Sequence, residues 1–346
     1  MPATIADLHA AFRDIRSLDL CPFRLPHTAL YDLASLPNIE RLNTVIDVND
    51  IKKFNFDRPL CLSFPSLVEL GLETDSLHAA SRLFQPMRFE RLRYLTLTIS
   101  ATHETHDFES FCETLHTSLN RTEFASFSLK RTQDWSTITV PSGIQFTSKA
   151  LAHLLPFTSM SFLELEEPLH SIVELDDHDL DAMSEAWPGL RVLCLSHQSY
   201  GVYDLDMPSI TLSGLLRLVG SCKKLEKIQL CFDALDPPPL AQLEETVPAS
   251  HVHTLDICTS PITASTDDVA LILYLAFPSL HTLRCGWNSR GEWAVNPLDV
   301  TDQDMEVFIR WTRVRSFLMP NLRLGPWGKE HLKYEWDRAA RTMHPI

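Results

Sequence analysis

The densest run of metal-ligand side chains in the chain is His103-Glu104-Thr105-His106-Asp107. A zinc site of the HExxH type places two histidines four residues apart on one helical face, with the glutamate as base. This run has a different spacing and begins in a loop, so no metal is expected there. A second acidic run extends from Glu174 to Asp181. It lacks the glycine and the closing glutamate of a calcium loop. Negative charge just ahead of apolar periodicity instead suits a helix N-terminus. The eight cysteines form no CxxC pair. Cys231 and Cys258 occupy the same position in adjacent repeats, which allows a redox pair; two small side chains stacked in register is the simpler reading. No GxSxG elbow and no Gly-rich phosphate loop occurs. Catalytic residues, a cofactor and a metal are therefore all unassigned, and the chain is not expected to be an enzyme.

The remaining chemistry is that of recognition. Trp135, Tyr200, Tyr203, Trp287, Arg290 and Trp293 lie in three long segments, 131–146, 196–210 and 286–300. Trp, Tyr and Arg dominate binding hot spots. These six residues are useful together only if the fold brings the three segments to one edge.

A repeat supplies that edge. The pattern apolar-x-x-apolar-x-apolar recurs from Ile15/Leu18/Leu20 to Val314/Phe317/Met319, eleven times, with a mean spacing of about 30 residues. Ile39/Leu42 is a poorer copy with Thr44 in its third slot. The alternation predicts a short strand with one face inward. Helix-like stretches lie between strands: Asp107–Leu119, Asp176–Trp187, Thr211–Cys222, Asp267–Phe277 and Thr301–Thr312. A short connector then leads to the next strand. Phe64-Pro-Ser-Leu67 and Phe277-Pro-Ser-Leu280 are two copies of it, and Trp187-Pro-Gly-Leu190 and Leu36-Pro-Asn-Ile39 are variants. Proline suits a place where a helix must stop. One such unit cannot bury its apolar face alone, but stacked units can. The reading is an α/β leucine-rich-repeat solenoid, a horseshoe with about eleven parallel strands on its concave face and helices on its convex face.

In that architecture the residues between inward positions face the concave side. Tyr94, Glu164, Glu166, Lys227, Gln229, Asp256 and Arg284 are expected there as partner-binding residues. The face is expected to be mildly acidic in its middle and more basic toward the C-terminal end. The loops leaving the strands share one edge, so the six aromatic and arginine residues gather along it. Residues 1–14 are expected to form an N-terminal cap segment, 15–324 the irregular solenoid, and 325–346 a capping helix and tail.

Thr211 to Leu230, TLSGLLRLVGSCKKLEKIQL, resembles the cysteine-containing leucine-rich repeats of F-box proteins. The irregular FPSL and WPGL units resemble those of fungal F-box/leucine-rich-repeat proteins. The resemblance covers about residues 15–320 and implies substrate recognition for an SCF-type ubiquitin ligase, with the SCF adaptor as one partner. No F-box is evident. Leu25-Pro26 with Leu30 and Leu33 echoes its start, but that segment falls where an ordinary repeat helix is expected.

Composition narrows the partners. The 346 residues are 45% hydrophobic and carry a formal charge of −15. Such a balance argues against nucleic acid and against an anionic membrane surface. No signal peptide and no transmembrane run is read, and the cysteines read as reduced thiols, so an intracellular location, cytoplasmic or nuclear, is expected. Two readings of function remain. One is a non-enzymatic protein-interaction module; the alternative is a small-molecule binder or enzyme with a pocket at the loop edge.

Overall fold

The computed structural model describes residues 14–25, 27–46, 62–100, 105–131, 145–166, 172–195, 208–239, 250–263, 265–284 and 302–318. Ten strands form one parallel sheet: β1 (Ser17–Leu25), β2 (Arg41–Ile46), β3 (Glu69–Thr74), β4 (Tyr94–Ile99), β5 (Ser126–Arg131), β6 (Phe162–Glu166), β7 (Val192–Leu195), β8 (Lys227–Gln229), β9 (Thr254–Asp256) and β10 (Thr282–Arg284). Strand order follows chain order, as a solenoid requires.

The register explains why the sequence repeats as it does. Leu18, Leu42, Leu70, Leu95, Phe127, Leu163, Leu193, Ile228, Leu255 and Leu283 are successive partners across the whole sheet. From Leu42 onward each is at most 5% exposed. Burying one such side chain contributes about 2 kcal/mol. A one-residue slip would turn this row to solvent, so the pattern pins the register. The third slot makes a second row through Leu72, Leu97, Leu129, Leu165 and Leu195.

Eight helices accompany the sheet among the described residues: α1 (His27–Ala34), α2 (Leu77–Phe84), α3 (Thr105–Ser118), α4 (Ser148–Leu154), α5 (Asp177–Ala186), α6 (Leu212–Ser221), α7 (Thr266–Ala276) and α8 (Asp302–Leu318). Their inward faces follow the helical period. In α3, Phe108, Phe111 and Leu115 are fully buried. The acidic run at 174–181 is a helix start. Asp176 accepts from the His178 and Asp179 N–H groups, and the Asp179 carboxylate accepts from the Asp176 N–H, a reciprocal capping box. Asp177 then accepts from the Thr211 N–H and hydroxyl, both at 2.7 Å, and so ties α5 to the start of α6.

The FPSL connector is a tight turn with a buried first residue. In Phe157–Met160, Trp187–Leu190, Cys222–Leu225 and Phe277–Leu280 the fourth N–H donates to the first carbonyl at 3.0–3.1 Å. Proline at the second position presets the turn in two of them. Phe157, Trp187, Cys222 and Phe277 are at most 2% exposed and fill the corner under each helix. The first FPSL differs: Phe64 ends a short strand, Leu62–Phe64, paired with Met87–Phe89, rather than following a helix. A second short pair, Gln145–Thr147 with Ile172–Glu174, adds another turn of sheet away from the concave face.

The eleventh unit is not a strand. Val314 and Phe317 lie in α8, which runs to Leu318, past the Thr312 end expected from sequence. No turn residue separates Thr312 from Val314, and Val307, Trp311 and Val314 recur at helical spacing and are buried. The Trp311 indole N–H donates to the Ser260 carbonyl at 2.7 Å, which seats α8 over the C-terminal part of the core. At the other end, β1 carries Pro22 and a register shift between Asp19 and Arg24. Both features discourage further pairing at a sheet edge. The cap at 1–14, apart from Asp14, and the capping helix at 325–346 lie outside the described residues.

Two substitutions test this core. Thr44 stands in the third-slot row opposite Leu72, is 1% exposed, and its hydroxyl has no hydrogen-bond partner. Thr44→Val should raise stability by about 1 kcal/mol by removing an unsatisfied buried hydroxyl, seen as a higher urea midpoint at unchanged slope. Leu193→Ala, in the middle of the main row, should cost about 2–5 kcal/mol.

Candidate interaction surface on the concave face

Alternate residues of each strand face away from the core and align into rows. One row runs Ser128, Glu164, Cys194, Gln229, Asp256, Arg284, on six successive strands from β5 to β10. The neighbouring row runs Tyr94, Ser126, Phe162, Val192, Lys227 from β4 to β8. The expected concave residues Tyr94, Glu164, Lys227, Gln229, Asp256 and Arg284 therefore share one surface. Glu166 joins it by backbone register, opposite Lys130.

The electrostatics differ from the expectation of an acidic middle. Glu164 is a paired ion, with its side chain only 12% exposed. One carboxylate oxygen accepts from the Ser128 hydroxyl at 2.8 Å and lies 3.2 Å from Lys130 Nζ. The other lies 3.9 Å from Lys227 Nζ. Its register neighbours Ser128 and Cys194 are short side chains. Lys130 and Lys227 keep side-chain exposures of 43% and 34%.

Asp256 departs from expectation in the same sense. It is 6% exposed, so it is not presented to a partner. Burial raises its pKa above the ordinary carboxylate range, while the Cys258 N–H at 3.1 Å and the charges of Arg284 and Lys227 pull the other way. Arg284 itself is exposed. Among the described side chains of this half, Glu164 and Asp256 are largely covered, Lys130 and Lys227 are part-exposed, and Arg284 is exposed.

Cys194 lies within this group but is inert. Burial pushes its thiol up to about 11, against a smaller downward pull from Lys227, and a protonated thiol is a poor nucleophile. Cys231 and Cys258 lie two residues beyond the ends of β8 and β9, not within the strands. Burial raises the Cys231 thiol to about 11, and Cys258 has a left-handed φ of 50° in the turn that follows β9. Among the described residues no group of His, Cys, Asp and Glu is placed to hold a metal ion. No helix among them is long and apolar enough to cross a membrane.

Trp135, Tyr200, Tyr203, Trp287, Arg290 and Trp293, the expected loop-edge residues, lie outside the described residues. Sequence reasoning missed Ser128, Lys130, Phe162, Val192 and Cys194. The repeat alignment already placed Ser128 beside Glu164, so that contact had a signal; the approach of Lys130 and Lys227 from two other repeats had none.

No family model matches the chain, and no curated protein shows significant similarity to it. Solved structures that resemble it include an internalin from Listeria monocytogenes and the Rad7 and Elc1 complex of yeast. The internalin is 13% identical, with a TM-score of 0.40 over 83% of this chain. This chain spans 65% of the internalin structure's length. The Rad7–Elc1 match is 14% identical, with a TM-score of 0.33, covering 86% of this chain and 87% of the other. The leucine-rich-repeat solenoid stands on the ten-strand ladder of the chain itself.

Asp256 gives a pH test. Asp256→Asn keeps an acceptor for the Cys258 N–H and removes the buried charge. A raised folded pKa means that the wild type is favoured by protonation at low pH and loses that contribution as pH rises through the folded value. Asp256→Asn should therefore melt higher than wild type at pH 7, with the advantage shrinking as pH falls toward about 4. An advantage that grows on acidification would contradict the burial argument.

Proposed function

We propose that the chain is a protein-interaction module whose binding surface is the concave face of the sheet. The observation that carries this reading is Tyr94. The residue is 47% exposed on a strand paired on both sides, in the same row as half-buried Phe162 and Val192. An exposed aromatic held rigidly beside apolar and charged neighbours is the composition of a binding hot spot. A curved array of parallel strands offers a wide surface for a macromolecule. The loop-edge residues Trp135, Tyr200, Tyr203, Trp287, Arg290 and Trp293 extend the same surface in this reading.

The narrower form of the proposal is substrate recognition related to an SCF-type ubiquitin ligase. Its support is the resemblance of Thr211–Leu230 and the FPSL units to F-box/leucine-rich-repeat proteins.

The test is affinity purification of the tagged chain from its own cells, with mass spectrometry, beside Tyr94→Ala and Trp287→Ala/Trp293→Ala. Loss of a hot-spot aromatic should weaken capture of the dominant partner about tenfold or more. Capture of the SCF adaptor supports the narrower form. A partner lost only by the tryptophan pair moves the site to the loop edge. No protein enriched by the wild type removes the proposal.

A further inference from the structure

We propose that the C-terminal edge of the sheet is a docking site for this chain's own residues 319–325, which lie outside the described residues. The occupant is a short parallel strand that follows α8 and pairs with β10.

A backbone pattern marks the site. At each of the nine junctions of the ten-strand sheet, the carbonyl just ahead of one strand accepts two N–H groups from the next unit. Arg16 accepts from Glu40 and Arg41 at the first junction, and His253 accepts from His281 and Thr282 at the last. The equivalent carbonyl ahead of β10 is that of His281, and no described N–H donates to it. A strand edge with such a carbonyl is a template for one more strand.

Side-chain burial marks the same place. Two residues ahead of each strand from β2 to β9 stands an apolar side chain at most 1% exposed, beginning with Ile39 and ending with Val252. Ahead of β10 this residue is Leu280, which is only partly buried. In a solenoid each such residue is covered by its counterpart in the next unit. Among the described residues Leu280 has no such counterpart.

The chain carries both missing parts in the required order. α5, α6 and α7 each end just before the first connector residue, Trp187, Cys222 and Phe277. α8 ends at Leu318, and Met319-Pro320-Asn321-Leu322 follows. This run repeats Phe277-Pro278-Ser279-Leu280 in type and in place. Its fourth residue, Leu322, is the counterpart of Leu280. Arg323 and Leu324 then match His281 and Thr282, and their N–H groups fall to the His281 carbonyl. Gly325 takes the central position held by Leu283 and brings no side chain. Pro326, in the place of Arg284, has no N–H for the ladder. The sheet therefore gains one short strand and stops. Tethering to α8 gives this segment a local concentration that a strand from another molecule lacks. On the concave face, Leu324 extends the row of Lys227, Thr254 and Thr282 and gives it an apolar end.

The test is hydrogen–deuterium exchange on the full chain, resolved to single amides by electron-transfer fragmentation, for wild type and Leu322→Asp. In the wild type the Arg323 and Leu324 amides should exchange at least about 100-fold more slowly than in the unfolded chain. Leu322→Asp should speed both by about tenfold or more while the β5 to β9 amides stay unchanged. Leu322→Ala serves in its place if Leu322→Asp disturbs β5 to β9. Exchange of Arg323 and Leu324 at the unfolded rate in the wild type overturns the proposal. Protection that survives the loss of Leu322 overturns it too, since the segment is then held elsewhere. Protection that grows between about 1 and about 50 µM protein overturns it in favour of a second copy of the chain.

Discussion

The in-register row of side chains from partly buried Leu18 through buried Leu42 to Leu283 is the constraint on which everything else depends. Each strand contributes one central apolar residue, and each is covered only because its neighbours on both sides do the same. The consequence is alternation: with the central residue fixed inward, the residues on either side of it face outward. Tyr94, Glu164, Lys227 and Arg284 therefore owe their shared surface to the inward-facing apolar residues beside them in each strand. Irregular repeat lengths do not disturb this. Extra residues are absorbed between strands, as in the short pair Leu62–Phe64 and Met87–Phe89, while the register from β2 to β10 stays unbroken.

A solenoid of this kind has two ends, and each end exposes what the interior hides. The chain treats them differently. β1 is nine residues long but is interrupted by Pro22 and a register shift, which removes the flat edge that invites another strand. β10 has three residues and so offers a short edge, and α8 packs on α7 over the core beside it. Trp311 does two jobs there. Its ring packs edge-on against Phe232 at 6.1 Å, and its N–H satisfies the Ser260 carbonyl. Ser260 is itself fully buried, accepting from the Phe232 N–H and donating to the Ile257 carbonyl. One polar cluster thus satisfies backbone groups in the turns after β8 and β9 while the tryptophan packs on Phe232.

Strand positions were legible in the sequence because the period-two alternation and the spacing of the leucines act together. They failed at Val314/Phe317 because three-residue spacing also fits one face of a helix, and the deciding feature was an absent turn before Val314. The acidic run at 174–181 was read correctly, since a cap and its first turn are contiguous in sequence. The three-residue strand Leu62–Phe64 was invisible: it has room for only one alternation. The concave surface was legible as a set of positions but not as a field. Glu164 looked like a free acid because its neutralising lysines belong to repeats before and after it. Asp256 looked exposed because the alternation places it outward, yet the turn through Cys258 folds back and takes its carboxylate as an acceptor.

The pairing of Glu164 with two lysines has a consequence for binding. A lone lysine on an open surface samples many rotamers, and fixing it on association costs about 1 kcal/mol or more. Glu164, itself held by the Ser128 hydroxyl, draws Lys130 and Lys227 toward fixed positions before any partner arrives. The pairs add little to stability, since the cost of covering the Glu164 carboxylate offsets its attraction to two part-exposed lysines. Their effect is on order: part of the entropy that a partner would have to remove is already gone in the free protein. Removing Glu164 would leave both lysines present and more mobile, with the local charge more positive. Long-range attraction of any partner carboxylate would then rise while the fit at contact loosened. A change that speeds association and shortens residence together is the signature that separates an organising carboxylate from one that touches the partner directly.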